Sequence, residues 1–126
     1  MHPHAVDLRR YFAADRFAEE HVRGLRRGYL GCVTFIDRQL GLLLDALDEL
    51  GLTDDTIVVY TSDHGEMLGK FGMWWKCSLY DDSSRIPCMA FGPDFESNKV
   101  VQTPVTLQDV RASIFETNNL NQPEEW

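Results

Sequence analysis

An α/β fold, with mostly parallel sheet strands flanked by helices, is predicted by three features of the sequence. A long amphipathic pattern runs from Leu30 to Leu50, an unbroken apolar run follows it after a glycine turn, and a second apolar run lies beyond a long loop. Helix, turn and buried strand in that order make half of a crossover unit.

Taken in chain order, Asp15 is suited to cap a helix that begins about Arg16, with Glu19 and Glu20 near the positive end of its dipole. Val33, Ile36, Leu40, Leu43, Leu44, Leu47 and Leu50 recur at steps of three and four, so a buried stripe is expected on this helix. Gly51 can take the left-handed conformation that ends it, and "LTDDT" supplies turn residues. The first strand is expected at Thr56 to Thr61. Its core, "IVVY", does not alternate polar with apolar, which points to cover on both faces as in a parallel sheet. A second strand is expected within "IPCMAFGP", Ile86 to Pro93. These two are expected to be parallel neighbours with helices packed on them. Thr106 and Asp109 form a capping-box pattern for a last helix that runs out at "TNNLNQPEEW".

The chain of 126 residues, 44% hydrophobic, fits one domain with a modest core. Its formal net charge of -8 offers no basic face to a phosphate backbone, so nucleic acid is excluded as a partner. Binding a small anion requires local design. Cys32, Cys77 and Cys88 are odd in number and lack CxxC spacing, which indicates neither a disulfide framework nor structural zinc and suits a reducing, cytoplasmic compartment. No segment has the apolar length of a membrane span. The opening "MHPH" shows no strand, cap or targeting signal. Two strands and roughly three helical pieces fall short of the strands a doubly wound sheet uses, so residues 1–126 are read as a single partial domain. Unpaired apolar edges then lead to an expectation of self-association.

The chemistry is concentrated between the strands, in the 24 residues from Ser62 to Arg85, a connection too long to be a plain turn. In open α/β sheets ligands bind beyond the carboxyl ends of the strands, where Asp63 and His64 fall. A carboxylate beside an imidazole offers a divalent cation one oxygen and one nitrogen, and Gly65 lets the backbone turn away. The same three residues also suit an ordinary turn, and both readings stay open on this evidence of type and spacing. Lys76 can neutralise an anion as a point charge or lie solvated on the loop. Trp74 and Trp75 suit loop anchors or a wall facing a cationic group. Glu66 suits an acceptor for a ligating histidine or an exposed position, and Arg85 is expected to pair with Asp81 or Asp82.

The stretch "YTSDHGEMLGKFGMWWKCSLYDDSSRIPCMAFGP" resembles the sulfatase family of the alkaline phosphatase superfamily, which carries "SDHGE", a following "LG...G.W.K" and an "R(V/I)P" strand. "YLGCVTFIDRQLGLLLDALDELGLTDDTIVVY" is similar to the helix and turn before that strand, and "VQTPVTLQDV" resembles the segment after it. The opening and the aromatic before the lysine look most like the choline-sulfatase-like branch. The resemblance implies a partial alkaline-phosphatase-like domain and a sulfuric ester hydrolase that uses a divalent metal, Ca²⁺ first, with Mn²⁺ or Mg²⁺ in some branches. It implies Asp63 and His64 as metal ligands, Lys76 and His64 as catalytic, and Lys76 with Trp75 at a small sulfate-ester substrate. The family's formylglycine nucleophile arises in a C/S-x-P/A-x-R motif, which none of the three cysteines fits, so the chain alone is expected to be inactive. Phe71 stands where the family often has histidine. A phosphate or phosphonate ester hydrolase of the same superfamily, or a non-catalytic truncated paralogue, remain the competing readings.

Overall fold

The computed structural model describes residues 2–12 and 16–121. These residues divide into two compact units, with the boundary between Phe95 and Glu96. The first unit contains helices α1 (Pro3–Tyr11) and α2 (Glu19–Glu49), strand β1 (Val58–Thr61), the short helix α3 (Asp81–Ser84) and strand β2 (Cys88–Phe91). The second contains α4 (Leu107–Thr117). Mixed helix and strand make this part of an α/β domain. No described helix is long and apolar enough to cross a membrane.

The opening that showed no cap forms α1. Pro3 occupies the first helical turn, where its missing N–H costs nothing, and the His2 side chain caps the helix by accepting from His4 N–H at 3.2 Å. Its inner face supplies Ala5 and Leu8 to a small core completed by Met67, Met73 and Tyr80. The core of this unit is therefore built on the long loop rather than on the sheet.

Helix α2 starts at Glu19, later than the expected Arg16, and its N-cap Ala18 makes no side-chain bond. Asp15, the expected cap, lies outside the described residues. The expected stripe is present but not buried: Leu30, Val33, Ile36, Leu43 and Leu50 are exposed, and Leu40, Leu44 and Leu47 are half-buried. Periodicity fixes which face is apolar, whereas burial needs a neighbour, and among the described residues this face is covered only in part. The helix ends as expected. Gly51, at φ 65°, donates to Asp48 O at 3.0 Å and Leu52 N–H donates to Leu47 O at 2.9 Å, the paired bonds of a Schellman ending.

The two strands are neighbours but antiparallel, with Val58 opposite Phe91 and Thr61 opposite Cys88. This corrects the expected parallel pairing. A parallel pair needs a crossover that returns the chain to the far end of the first strand. Here the connection folds on itself at the carboxyl end of β1, its only α-helix being the four-residue α3, and β2 starts beside Thr61, whose hydroxyl donates to Pro87 O at 2.9 Å. Cover on both faces is also corrected, since Val59, Met89 and Phe91 are exposed. In the second unit the capping box forms as read from sequence. Thr106 N–H donates to Asp109 Oδ2 at 2.6 Å, and the Thr106 hydroxyl accepts from Asp109 N–H at 3.4 Å.

Gly51 allows a clean test of the helix ending, because nothing lies within 4 Å of a Cβ built there and only the left-handed backbone is at stake. Gly51→Ala should lower stability by about 1 kcal/mol and Gly51→Asn by less, read as shifts of the denaturation midpoint. Equal stability of all three chains would remove the assigned role.

Candidate active site

The site grows from the carboxyl end of β1. Ser62 closes the strand by donating its hydroxyl to His64 O at 2.9 Å, which turns the chain so that Asp63 and His64 come side by side. The His64 ring Nδ1 lies 2.8 Å from Gly65 O. A carbonyl only accepts, so Nδ1 carries the proton in that bond, and in the neutral ring Nε2 holds the lone pair. Nε2 lies 3.5 Å from Asp63 Oδ2. Two electron-rich atoms thus face each other, and a cation between them relieves the repulsion.

That geometry fits a divalent ion. Two atoms this far apart can each lie about 2.4 Å from one ion while subtending an angle of roughly 90° at it. The Asp63 side chain is 78% exposed and His64 36%, so the pair opens to one side rather than being closed in protein. Among the described residues no group of three or more His, Cys, Asp or Glu is placed to hold a metal, so Asp63 and His64 could supply no more than two side-chain donors to one ion.

Gly65 is required for a different reason from the one read in sequence. Its N–H donates to Ser83 O at 2.7 Å, and a Cβ built on it would lie 2.1 Å from Asp82 O. The backbone of the strand end is pressed directly on that of α3. Ser83, 3% exposed, is the joint between them: besides accepting from Gly65, it donates its hydroxyl to the carbonyl of Lys76. The Asp63–His64 pair and Lys76 are therefore linked through one buried residue.

Lys76 follows a residue in an uncommon conformation. Trp75 has φ 63°, a region bulky side chains rarely enter. It is held there from two sides, with its N–H donating to Glu66 Oε1 at 2.6 Å and its carbonyl accepting from Met67 N–H at 3.0 Å. Glu66 also accepts from Leu68 N–H at 3.3 Å, so it organises loop backbone and does not orient His64. The Lys76 side chain is exposed, and among the described residues no carboxylate pairs with it. The tryptophans are packed against aromatics from the N-terminal part of the unit: Phe12 lies 4.9 Å from Trp75 and Phe17 lies 5.7 Å from Trp74, centroid to centroid. Trp75 nevertheless remains 45% exposed.

Asp82 pairs with Lys70, Nζ to Oδ2 at 2.6 Å, rather than with Arg85 as expected. The Lys70 hydrogen bond, reinforced by its charge, holds the Asp82 carboxyl below the usual aspartate value against a smaller opposing effect of desolvation. Phe71, in place of the expected histidine, stacks on Tyr80 at 4.9 Å. All three cysteines are free and exposed. Sequence reasoning missed Ser83 and α1. Nothing in "DDSSR" separates Ser83 from Ser84, whereas Pro3 with Ala5, Leu8 and Phe12 was a legible helical pattern.

The sequence model of the sulfatase family matches residues 1–119. The chain is similar to choline-sulfatase of Rhizobium meliloti (strain 1021), 34% identical over 106 residues, covering 84% of this chain and 20% of that protein. It is similar to arylsulfatase K of Bos taurus, 33% identical over 109 residues, covering 86% of this chain and 20% of the relative. A solved structure, the phosphonate monoester hydrolase of Silicibacter pomeroyi, superposes with a TM-score of 0.79 at 29% identity over 86% of this chain and 25% of the other. The chain thus spans about a fifth of the length of the curated relatives it matches.

Two outcomes test this geometry. Gly65→Ala should be strongly destabilising, because a backbone carbonyl occupies the place of the new methyl. Hydrogen exchange should show the Gly65-to-Ser83 protection lost first, and an unchanged exchange pattern would contradict the contact. For the Lys70–Asp82 pair the sign follows from a depressed folded-state value. Its stabilisation is present above the ordinary aspartate value and is lost as pH falls through the lower folded value. The difference in melting temperature between wild type and Lys70→Met should therefore be constant near neutrality and shrink in acid, and the Asp82 carboxyl should titrate at higher pH in the variant, read by carbon NMR.

Proposed function

The chain belongs to the sulfatase family, and we propose from this that it carries the metal-and-anion portion of an active site that hydrolyses a sulfate ester. The observation that carries the proposal is the Asp63–His64 pair at 3.5 Å, joined through Ser83 to an unpaired Lys76 at the end of a strand. Because the relatives are about five times as long and no third ligand is present among the described residues, the attacking group and remaining ligands are assigned to polypeptide outside this segment.

In this reading Asp63 and His64 Nε2 hold one side of a divalent cation, calcium by resemblance, with manganese or magnesium as the alternatives. The bound cation supplies Lewis acidity toward the sulfate group. The Gly65 carbonyl keeps the imidazole in the tautomer that presents Nε2, so the ligand does not have to reorganise. Lys76 offsets charge that builds on the sulfate oxygens as the ester bond breaks. The exposed ring of Trp75, beside that lysine, suits the cationic portion of a choline-type ester.

A second reading takes a phosphonate or phosphate monoester at the same site, and the similarity to the phosphonate monoester hydrolase favours it. A metal edge and one lysine do not distinguish the two anions. Comparing turnover of 4-nitrophenyl sulfate with that of 4-nitrophenyl phenylphosphonate separates them.

The decisive variant is Lys76→Ala in a full-length enzyme carrying this segment. Loss of a charge-assisted contact made in the transition state should reduce the rate about a hundred- to thousand-fold, or roughly 3 to 4 kcal/mol. A solvated lysine would instead change stability by under about 0.5 kcal/mol and leave turnover intact. Trp75→Leu serves as the companion: a raised Michaelis constant for choline sulfate with little change for 4-nitrophenyl sulfate supports the cation-facing role. A folded Lys76→Ala enzyme keeping more than about a third of its rate ends the proposal for this residue.

A further inference from the structure

Among the described residues Ser83 is the one buried polar residue, and its contacts do not serve its own short helix alone. Its N–H closes the turn of α3 by donating to Tyr80 O at 2.8 Å. Its carbonyl is turned to the strand end, where it accepts from Gly65 N–H at 2.7 Å. Its hydroxyl is turned to the loop, where it donates to the Lys76 carbonyl. One residue thus contacts the backbone immediately after His64 and the backbone of the lysine itself.

The approach to Gly65 leaves little slack. With Asp82 O only 2.1 Å from where a Cβ would stand, α3 cannot move toward the strand end, and the Gly65-to-Ser83 bond keeps it from moving away. On the other flank of Lys76, Glu66 holds the Trp75 amide at 2.6 Å with Trp75 in its left-handed conformation. Lys76 therefore has its preceding amide fixed by one bond and its own carbonyl fixed by another. Lysine is a flexible point charge whose effect depends on where its backbone starts, so the fixed carbonyl matters more here than for a rigid side chain.

We propose that Ser83 is a positioning residue for the reaction: through its hydroxyl it sets the place of Lys76 relative to the Asp63–His64 pair. This rests on the reading of Lys76 as the contact to the sulfate group. Ser83 itself touches neither the substrate nor the metal in this assignment. Its work is to convert a contact between two backbones into a fixed separation between a cation-binding edge and an anion-binding lysine.

The test is a double-mutant cycle in a full-length enzyme carrying this segment, with 4-nitrophenyl sulfate as probe and circular dichroism to establish folding. Ser83→Ala should lower kcat/KM by about ten- to a hundredfold, mainly in kcat, because misplacement of a group acting in the transition state is felt there. In the Lys76→Ala background the same substitution should produce no further loss, since the residue through which Ser83 acts is gone. An equal fold-loss in both backgrounds would mean that Ser83 supports the fold at large, and it would overturn the proposal while leaving Lys76 in its role. Full activity of Ser83→Ala would overturn it as well. If Lys76→Ala alone changes nothing, the underlying reading of the lysine fails and this inference fails with it. Should the alanine variant not fold, Ser83→Cys keeps the volume, replaces the hydroxyl with a weak donor and runs the same cycle.

Discussion

The hydrogen bond from Gly65 N–H to Ser83 O, made across a backbone contact too close for any side chain at position 65, is the constraint on which the rest of the first unit depends. It brings α3 back to the carboxyl end of β1. With the chain returned to that end, the next strand can start only beside Thr61, and the pair becomes antiparallel. The loop between is then confined to one side and closes on itself through bonds from Met67 N–H to Trp75 O and from Gly69 N–H to Met73 O, which turn Met67 and Met73 inward. The same contact that sets the strand pairing places the lysine.

Burial is distributed in keeping with this. Among the described residues the buried apolar side chains are Ala5, Met67 and Met73, so the loop that carries the candidate site is also the centre of the core. Helix α1 serves it from one side, the ring pairs of Phe12 with Trp75 and Phe17 with Trp74 from another, and Arg26 of α2 donates to Leu68 O at 2.8 Å. Loops are ordinarily the least stable parts of a domain because they bury little. This one inverts the rule: the loop is ordered by its own packing, while much of the apolar face of α2 and of the sheet is exposed.

What the sequence made legible follows from how local each determinant is. The Gly51 ending and the Thr106–Asp109 box depend on a few adjacent residues and were read correctly. The apolar face of α2 was also read, but its burial was not, because a periodic pattern records a preference and not a partner. Strand direction was misread since an unbroken apolar run such as "IVVY" suggests cover without encoding the path of the following loop. In the site, the adjacency of Asp63 and His64 was legible as type and position at a strand end. Ser83 was not, because its role lies in two bonds, to Gly65 and to Lys76, that lie outside its own helical turn. Glu66 meets neither of the two readings open in sequence, an acceptor for histidine or an exposed position, because the amide of Trp75 that it accepts from is set by the fold.

The two lysines of the loop differ in their surroundings. Lys70 has a carboxylate partner, with Asp82 at 2.6 Å, and the Phe71 ring lies 5.6 Å from its ammonium. That lysine is committed to structure, and the carboxyl it holds is the one whose backbone lies against Gly65. An ammonium without a protein carboxylate retains its electrostatic attraction for an incoming anion, and the Asp63–His64 edge retains its own for a cation.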